Sequence, residues 1–313
     1  MVHLAPTNPR ALISIGTNST RLLVLRGASP PTVKSTGTRL GAGIDERGSL
    51  DPDARARTLV AIEGYVRIVR ESGAALDVIA TSALRRAEDA DAFSVDVQTA
   101  TGVAPRIITG DEEATYSYLG ATQGLGITGE VGVLDVGGGS TELAVGRDSI
   151  VARTISLEIG AVRLSERFPD LLGARALDVA EREALCAQAG AFVDTILAPL
   201  AGFRGLPRLV TVGGTMFTAA GMLAQNPERD GVIVTPRDRR TLIDALLAAD
   251  LAQRRAMRFI RPQRADILPG GLIVVDRACH LLGHGVVFVS HSDLLLGYMT
   301  SSAYRSNTPA PLH

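Results

Sequence analysis

The chain has 313 residues, of which 46% are hydrophobic and 21% are charged, and its formal net charge is −1. This length is sufficient for two domains with a sizeable buried core. A net charge so close to zero argues against a general attraction to nucleic acid or anionic membranes, so we expect neither as a partner, and any polyanionic ligand must be held by a local patch.

Cysteine content and targeting signals narrow the class of protein further. The two cysteines, Cys186 and Cys279, are far apart in the sequence, which argues against a disulfide framework or a structural zinc site. The segment 1–10 contains prolines but no basic stretch followed by an apolar one, so we expect no signal peptide. We also expect no apolar run long enough to span a membrane. These features predict a cytoplasmic enzyme or binding protein.

The first predicted elements are a hairpin and a long helix. Ala11–Ile15 and Leu22–Leu25 are apolar runs separated by the polar turn 16–20, which predicts two strands joined by a tight loop. A helix follows between Asp51, its N-cap, and Gly73, where the helical spacing of apolar residues ends.

The rest of the chain alternates between predicted strands and helices. In chain order these are a strand over 76–80, a polar helical segment, an apolar pair at 107–108, a helix over 112–123, strands over 131–136 and 141–145, a helix over 178–200, a strand over 209–212 that leads into a helix, a helix over 236–251, a strand over 286–289 and a terminal helix.

The second half of the chain repeats the opening of the first. Each half begins with a strand, a turn rich in Gly, Ser and Thr, and a returning strand, which predicts a duplicated α/β fold with a central cleft. The boundary is expected in the glycine-rich stretch 124–129. This gives domains over residues 1–124 and 125–313, with the terminal helix as a candidate to pack back on the first domain.

The strongest motif lies in the second hairpin, between Asp135 and Glu142. Its three consecutive glycines, 137–139, let the backbone turn tightly and bring amide groups close to an anion. Ser140 and Thr141 add hydroxyl donors, and the two flanking carboxylates are hard ligands that suit Mg²⁺. A glycine-rich turn between two solvated acids is the plainer alternative, but acids on both sides of the loop favour a phosphate and metal site.

Three other turns are candidates to contact phosphate, and each has a plainer alternative. The first hairpin turn, 16–19, would be an ordinary polar turn if it stood alone, but it matches the second hairpin in position. Thr81–Arg86 follows a buried strand, where α/β folds bind ligands, yet it equally fits a capped helix with surface arginines. Gly213–Thr215 lies between a strand and a helix, which is a weak indication of phosphate binding at a helix N-terminus.

An acidic cluster, Gly110–Ala114, lies at the start of a predicted helix. Its three acids fit a first turn that complements the helix dipole. A catalytic function requires one of them to orient or deprotonate a water molecule, and the local sequence does not distinguish which. Cys279, His280 and His284 lack the glutamate of a zinc-binding helix, so a packed helix is the preferred interpretation there.

In this order, the motifs resemble those of the exopolyphosphatase/guanosine pentaphosphate phosphatase (Ppx/GppA) family, in its short two-domain form, within the sugar kinase–Hsp70–actin superfamily. The stretches that carry the resemblance are Ile15–Leu22, Arg39–Gly41, Ala80–Arg85, Gly110–Ala114, Asp135–Glu142, Gly213–Thr215 and Arg264–Gly271. The resemblance implies two ribonuclease H-like (actin-like ATPase) domains, Mg²⁺ as a cofactor and a homodimer.

The resemblance also implies roles for individual residues. Glu113 would position and activate the attacking water, and Asp135 and Glu142 would hold Mg²⁺. Together with the turns described above, the residues expected to bind phosphate are Gly16, Thr17, Asn18, Ser19, Arg85, Gly137, Gly138, Gly139, Ser140, Thr141, Gly213, Gly214 and Thr215.

Two departures from the family's pattern are visible. Ser14 stands where the family usually has an aspartate, two residues before the glycine of the first loop, so a negative charge is missing there. Ser290–Gly297 differs from the family's usual version, which contains glycine and arginine, and this affects one phosphate contact.

The predicted activity is Mg²⁺-dependent hydrolysis of the terminal phosphate of inorganic polyphosphate. One alternative is the hydrolysis of guanosine pentaphosphate at the same site. A second is a kinase or ATPase of the same superfamily. A third, suggested by Ser14, is a non-catalytic sensor that binds polyphosphate or an alarmone.

Overall fold

The apolar runs at the start of the chain form an antiparallel hairpin in the computed structural model, which describes residues 8–301. Residues 1–7, which make up most of the segment examined for a signal peptide, and residues 302–313, at the end of the predicted second domain, lie outside the described residues. The chain divides into two units, one formed by residues up to Glu113 and from Tyr298 onward, the other by Ala114–Gly297.

The first unit is built on one five-stranded sheet. Its strands are β1 (Arg10–Ile15), β2 (Thr20–Leu25), β3 (Thr32–Thr36), β4 (Ala75–Ala80) and β5 (Arg106–Ile107), and its helices are α1 (Ile44–Arg47), α2 (Pro52–Ser72), α3 (Ser82–Arg86) and α4 (Ala90–Thr101). The strand order is β3-β2-β1-β4-β5, with antiparallel pairing on the β2 side of β1 and parallel pairing on the β4 side.

The second unit contains a six-stranded sheet. Its strands are β6 (Glu130–Val136), β7 (Thr141–Arg147), β8 (Ile150–Leu157), β9 (Leu209–Val212), β10 (Val232–Val234) and β11 (Val287–Val289), and its helices are α6 (Ala161–Arg167), α7 (Val179–Leu197), α8 (Gly214–Ala224), α9 (Pro236–Leu247), α10 (Leu251–Ala256) and α11 (Leu268–Leu282). The strand order is β10-β11-β9-β6-β7-β8.

The two sheets share one topology. In each, the hairpin is extended by a third antiparallel strand on one side and by parallel strands on the other, so β3-β2-β1-β4-β5 corresponds to β8-β7-β6-β9-β11. This repetition confirms the predicted duplicated α/β fold.

Two further helices contain the points where the chain passes from one unit to the other. They are α5 (Gly110–Leu125), which is divided between Glu113 and Ala114, and α12 (Leu294–Thr300), which is divided before Tyr298. The stretch 124–129, predicted as the boundary, lies inside the second unit. Its glycines Gly126 and Gly129 have φ values of 61° and 83° and form the turn between α5 and β6.

Local signals define α2 as the sequence predicted. The Asp51 side chain accepts a hydrogen bond from the amide of Ala54 at 2.9 Å, and Gly73 ends the helix in the left-handed conformation. The helix predicted over 236–251 is α9, which ends earlier, at Leu247. Asp250 then accepts from the amide of Gln253 at 2.8 Å and begins a separate helix, α10, at Leu251.

One helical stretch, Val179–Phe203, contradicts the expectation that no apolar run is long enough to span a membrane. By length and composition alone it qualifies, a test that core helices of globular domains also pass. Its buried residues belong to the core of the second unit. Asp194 on this helix forms an ion pair with Arg277 of α11 at 2.6 Å, which favours packing within the unit.

Candidate active site

Both predicted phosphate loops are closed by the same backbone hydrogen bond. The amide of Gly16 donates to the carbonyl of Ser19 at 3.0 Å, and the amide of Gly137 donates to the carbonyl of Ser140 at 3.0 Å. A Cβ atom on Gly16 or Gly137 would lie 3.1 or 3.3 Å from that same carbonyl oxygen, which is tighter than an ordinary contact. The two hairpins therefore share local geometry as well as sequence.

The first loop, 16–19, has its carbonyl groups tied to the stretch Arg39–Gly41. The amide of Arg39 donates to the carbonyl of Asn18, and the amide of Gly41 donates to the carbonyl of Thr17, both at 3.0 Å. Within residues 8–301 the amides of Thr17 and Asn18 have no acceptor. A loop with bonded carbonyls and unbonded amides favours an anion.

The Asn18 side chain adds a buried polar group to this loop. Its Nδ2 donates to Ser19 Oγ at 3.2 Å, whereas its Oδ1 has no partner among the residues that the structure describes. A flip of the amide exchanges oxygen and nitrogen, so the same position can present a donor to a phosphate oxygen.

The second loop, 137–140, is tied down in the same way by the start of α6. The amide of Ala161 donates to the carbonyl of Gly137 at 3.0 Å, and the amide of Val162 donates to that of Gly138 at 2.8 Å. The amides of Gly138 and Gly139 find no acceptor in the described part of the chain. Both loops thus present backbone donors suited to phosphoryl oxygens.

The hydroxyl of Thr141 has a role inside the fold. It donates to the carbonyl of Ile159 at 2.6 Å, so its hydrogen is not available to a phosphate. Ser140 is 2% exposed and forms no side-chain hydrogen bond with the residues described here. The geometry supports the predicted phosphate contact for Ser140 more than for Thr141.

The two predicted metal ligands stand directly opposite each other in the β6–β7 ladder. Asp135 pairs with Glu142, and side chains opposed in this way have Cβ atoms about 4.5–5.5 Å apart on one face of the sheet. Asp135 Oδ2 accepts from Ser117 Oγ at 2.7 Å, and Glu142 Oε1 accepts from Ser156 Oγ at 2.8 Å. Each carboxylate is therefore oriented by a hydroxyl of its own.

This donor set fits Mg²⁺. No group of three or more His, Cys, Asp or Glu side chains in residues 8–301 could hold a metal ion. Mg²⁺ usually keeps several waters and binds through one or two carboxylates plus substrate phosphates, so two opposed carboxylates beside a phosphate loop are sufficient. At the equivalent register of the first hairpin, Ser14 pairs with Arg21, so that hairpin offers no carboxylate pair.

Glu113 forms a buried ion pair with Arg85. Arg85 Nη1 donates to Glu113 Oε2 at 2.7 Å and also to the carbonyl of Ile108 at 3.0 Å. The two side chains are 17% and 11% exposed. The fold thus places the predicted catalytic carboxylate in direct contact with a predicted phosphate ligand.

The neighbouring acids have other surroundings. Glu112 accepts from the amide of Thr109 at 2.9 Å and from Arg106, so it caps the helix start, while Asp111 is exposed. Burial therefore singles out Glu113 among the three acids.

The third turn, Gly213–Thr215, lies beside Asp135. Gly213 has a φ of 92°, and a Cβ atom there would lie 2.8 Å from Asp135 Oδ1. A Cβ atom on Gly214 would clash with the guanidinium of Arg264, and the Thr215 side chain packs against Gly271 of α11. The backbone and Asp135 together require glycine at position 213, whereas a side chain at position 214 would have to displace the guanidinium of Arg264.

Arg264, Ser117 and Ser156 contact site residues but were not among the site residues predicted from the sequence. Arg264 stands in the stretch that carries the family resemblance, and this was the one signal that could have identified it. The two serines are ordinary residue types, distant in sequence from the carboxylates they orient.

The divergent segment Ser290–Gly297 packs closely on α5. A Cβ atom on Gly297 would overlap the carbonyl of Tyr116, and one on Gly120 would overlap the carbonyl of Asp293. Ser290 Oγ donates to the carbonyl of Ser292 at 3.0 Å. In this chain the segment makes close backbone contacts that explain both glycines.

We predict that Gly213→Ala lowers phosphatase activity at least about 10-fold, because the methyl group pushes Asp135 out of place and the backbone of Gly213, with φ 92° and ψ 163°, lies in a region essentially restricted to glycine, at a cost of about 1–3 kcal/mol for another residue. Gly205→Ala is the matched control, since Gly205 has a φ of 86° but nothing within 4 Å of the added Cβ. It should lose similar stability and retain activity. Equal activity in both variants, measured as phosphate release and thermal unfolding, would contradict this account.

Comparisons with known proteins place these motifs in a family. The model of the Ppx/GppA phosphatase family matches residues 29–302. Exopolyphosphatase 2 of Mycobacterium tuberculosis is 33% identical over 94% of this chain and 98% of its own length. A guanosine-5'-triphosphate,3'-diphosphate pyrophosphatase of Vibrio vulnificus is 30% identical over 87% of this chain, but the match covers 54% of that protein.

Solved structures show the same fold. The crystal structure of the Aquifex aeolicus member of the Ppx/GppA family superposes with a TM-score of 0.76 at 26% identity, covering 96% of this chain and 99% of that one. An exopolyphosphatase of Cytophaga hutchinsonii superposes with a TM-score of 0.82 at 23% identity, covering 93% and 96%.

Proposed function

Since this chain belongs to the Ppx/GppA phosphatase family, we propose that it is an exopolyphosphatase that releases the terminal phosphate of inorganic polyphosphate. The observation that supports polyphosphate as the substrate is the match to exopolyphosphatase 2 over nearly the whole of both chains. The pyrophosphatase relative instead extends well beyond the matched region.

The proposed nucleophile is a water molecule activated by Glu113. Its carboxylate, fixed by Arg85, accepts a proton as the water oxygen bonds to the terminal phosphorus and the bond to the bridging oxygen breaks. A buried and fixed carboxylate holds the water in line, so positioning supplies much of the rate.

Each of the two loops is proposed to bind phosphoryl oxygens through its backbone amides. The unbonded amides of Thr17, Asn18, Gly138 and Gly139 are fixed donors, and fixed donors stabilise developing charge without reorganisation. Mg²⁺, held by Asp135 and Glu142, would neutralise charge on the phosphate oxygens. The guanidinium fork of Arg85 is also suited to phosphate oxygens.

The direct test is phosphate release from long-chain polyphosphate in the presence of MgCl₂, with guanosine pentaphosphate assayed in parallel. We expect higher kcat/KM for polyphosphate. Release of phosphate from guanosine pentaphosphate but not from polyphosphate would show that the proposed substrate is wrong, and the proposed active site would stand. Tight binding of polyphosphate without release at saturating Mg²⁺ would instead establish the sensor alternative. Membership of a phosphatase family argues against the kinase alternative.

We predict that Ser14→Asp lowers the Mg²⁺ concentration needed for half-maximal activity several-fold. Ser14 is 4% exposed and occupies the register position that Asp135 occupies in the second hairpin, so an aspartate restores a carboxylate to the first loop. Ser14→Asn, similar in size but uncharged, is the control and should leave the Mg²⁺ requirement unchanged. An unchanged Mg²⁺ titration in both variants would show that Ser14 has no influence on the metal.

We propose a cytoplasmic location and a homodimer as accompanying properties. Cys186 and Cys279 are both free thiols, which suits a reducing compartment. Light scattering of the purified chain tests the dimer, and a monomeric mass at assay concentration would remove it from the proposal.

A further inference from the structure

A cavity of about 400 Å³ lies between α7, α9 and α11 of the second unit, and no residue of the candidate active site lines it. Its apolar lining comes from Cys186, Ala187, Ile243 and Ile273. This volume is near the lower end of the range for small-molecule sites, about 300–1,000 Å³. A cavity of this size accommodates a ligand of the dimensions of a small metabolite.

Two of the charged residues that line this cavity are neutralised by partners outside it. Arg277 forms two hydrogen bonds with Asp194, at 2.8 and 2.6 Å, and Asp276 accepts from Arg239 Nε at 2.9 Å. These pairs join α11 to α7 and to α9. These ion pairs therefore fix the helices that form the walls of the cavity, and their charges are already compensated before a ligand binds.

Four other lining charges lack an opposite partner. Arg182 donates through Nη1 to the carbonyl of Leu177 at 2.8 Å, and its buried Nε has no hydrogen-bond partner in residues 8–301. The side chains of Arg240, Glu183 and Asp244 form no hydrogen bond or ion pair with that part of the chain. Two cations and two carboxylates remain, so the uncompensated charge of the cavity sums to zero with both signs present.

Two carboxylates of the lining influence the thiol of Cys186. Burial, then Asp244 and Asp276, raise the pKa of this thiol to about 11, against the opposing effect of Arg182. The two carboxylates thus act more strongly on the thiol than the arginine does. A positively charged group of a ligand is favoured next to Cys186.

We propose that this cavity binds a small zwitterion with an apolar body, of the size of an amino acid or dipeptide, with its ammonium group at Asp244 and its carboxylate at Arg240. The body packs on Ile243 and Ile273, which are 6% and 2% exposed. An analogue that lacks either charged end loses one of the two ion pairs, since Arg240 or Asp244 is then left without its partner on the ligand.

The probe is L-leucyl-L-leucine, and Cys186 supplies the readout. Cys279 is 0% exposed, so iodoacetamide labels Cys186 in the folded protein. The dipeptide should protect Cys186 from alkylation and bind in calorimetry. Its N-acetylated and C-amidated forms, which each lack one charge, should bind at least about 10-fold more weakly.

Matched variants on α9 complete the test. Arg240→Gln and Asp244→Asn should each abolish protection, whereas Arg237→Gln, an exposed arginine on the same helix that does not line the cavity, should retain it. All three should hydrolyse polyphosphate like the native chain, which shows that they fold. Failure of the dipeptide to protect at about 10 mM, where even a millimolar site is mostly filled, overturns the proposal. Equal protection by the blocked dipeptides also overturns it.

Discussion

Glu113→Gln is expected to lower the rate of phosphate release from polyphosphate by about 100- to 10,000-fold, the usual contribution of a positioned general base. Glutamine keeps the size of the side chain and an oxygen that can accept from Arg85, so the buried contact at 2.7 Å survives in a weaker form. What is lost is the carboxylate that takes the proton from water. The effect should therefore appear in kcat, with KM for polyphosphate changed little.

Glu112→Gln is the matched control for this prediction. Glu112 is adjacent in sequence, but it caps the start of α5 and contacts Arg106, so its substitution should cost some stability and leave kcat near that of the native chain. Thermal unfolding of both variants separates folding from chemistry. A Glu113→Gln enzyme that keeps its rate, or a larger loss in Glu112→Gln, would remove Glu113 as the base.

The parts of the fold that could be predicted from the sequence are those whose structure is determined by neighbouring residues in the chain. Both hairpins were predicted because buried apolar strands flank turns in which a Cβ atom would crowd the closing carbonyl, as at Gly16 and Gly137. Helix α2 was predicted because its cap and its left-handed glycine are both local signals. In these segments, residue type and backbone geometry determine each other.

The features that were missed depend on partners distant in sequence. Strand β3 is mostly exposed and strand β8 is at most half-buried, so neither shows a buried face, and each becomes a strand through pairing with its neighbour. Ser156 orients Glu142 because β8 lies next to β7. The contact between Arg264 and Gly214 likewise depends on tertiary packing. Local patterns carry no record of such pairings.

The duplication makes the difference between the two hairpins informative. The same register position holds Ser14 opposite Arg21 in the first hairpin and Asp135 opposite Glu142 in the second, while the closing hydrogen bond is identical. Both loops therefore retain donors for phosphate, but the carboxylate pair exists only in the second. If a metal binds in the way we propose, its affinity must depend on Asp135 more than on any residue of the first loop.

Asp135→Asn is accordingly expected to lower activity more than about 100-fold at a Mg²⁺ concentration that saturates the native enzyme, with partial recovery as Mg²⁺ is raised. Asparagine retains the shape of the side chain and can still accept from Ser117 at the position of Oδ2, so the loss isolates the charge. Activity measured across a Mg²⁺ titration distinguishes weakened metal binding, which shifts the midpoint, from a misfolded loop, which lowers the plateau.

Ser117→Ala provides the graded comparison, because it removes the hydroxyl that orients Asp135 and leaves the carboxylate in place. Loss of such an orienting partner typically costs about 10- to 100-fold in metal affinity or activity, so its midpoint should fall between those of the native chain and Asp135→Asn. If all three proteins share one Mg²⁺ midpoint, Asp135 does not hold the metal. The Asp135 carboxylate would then serve to position the backbone of the Gly213 turn. The two are close enough for this, because a Cβ atom added to Gly213 would lie 2.8 Å from Asp135 Oδ1.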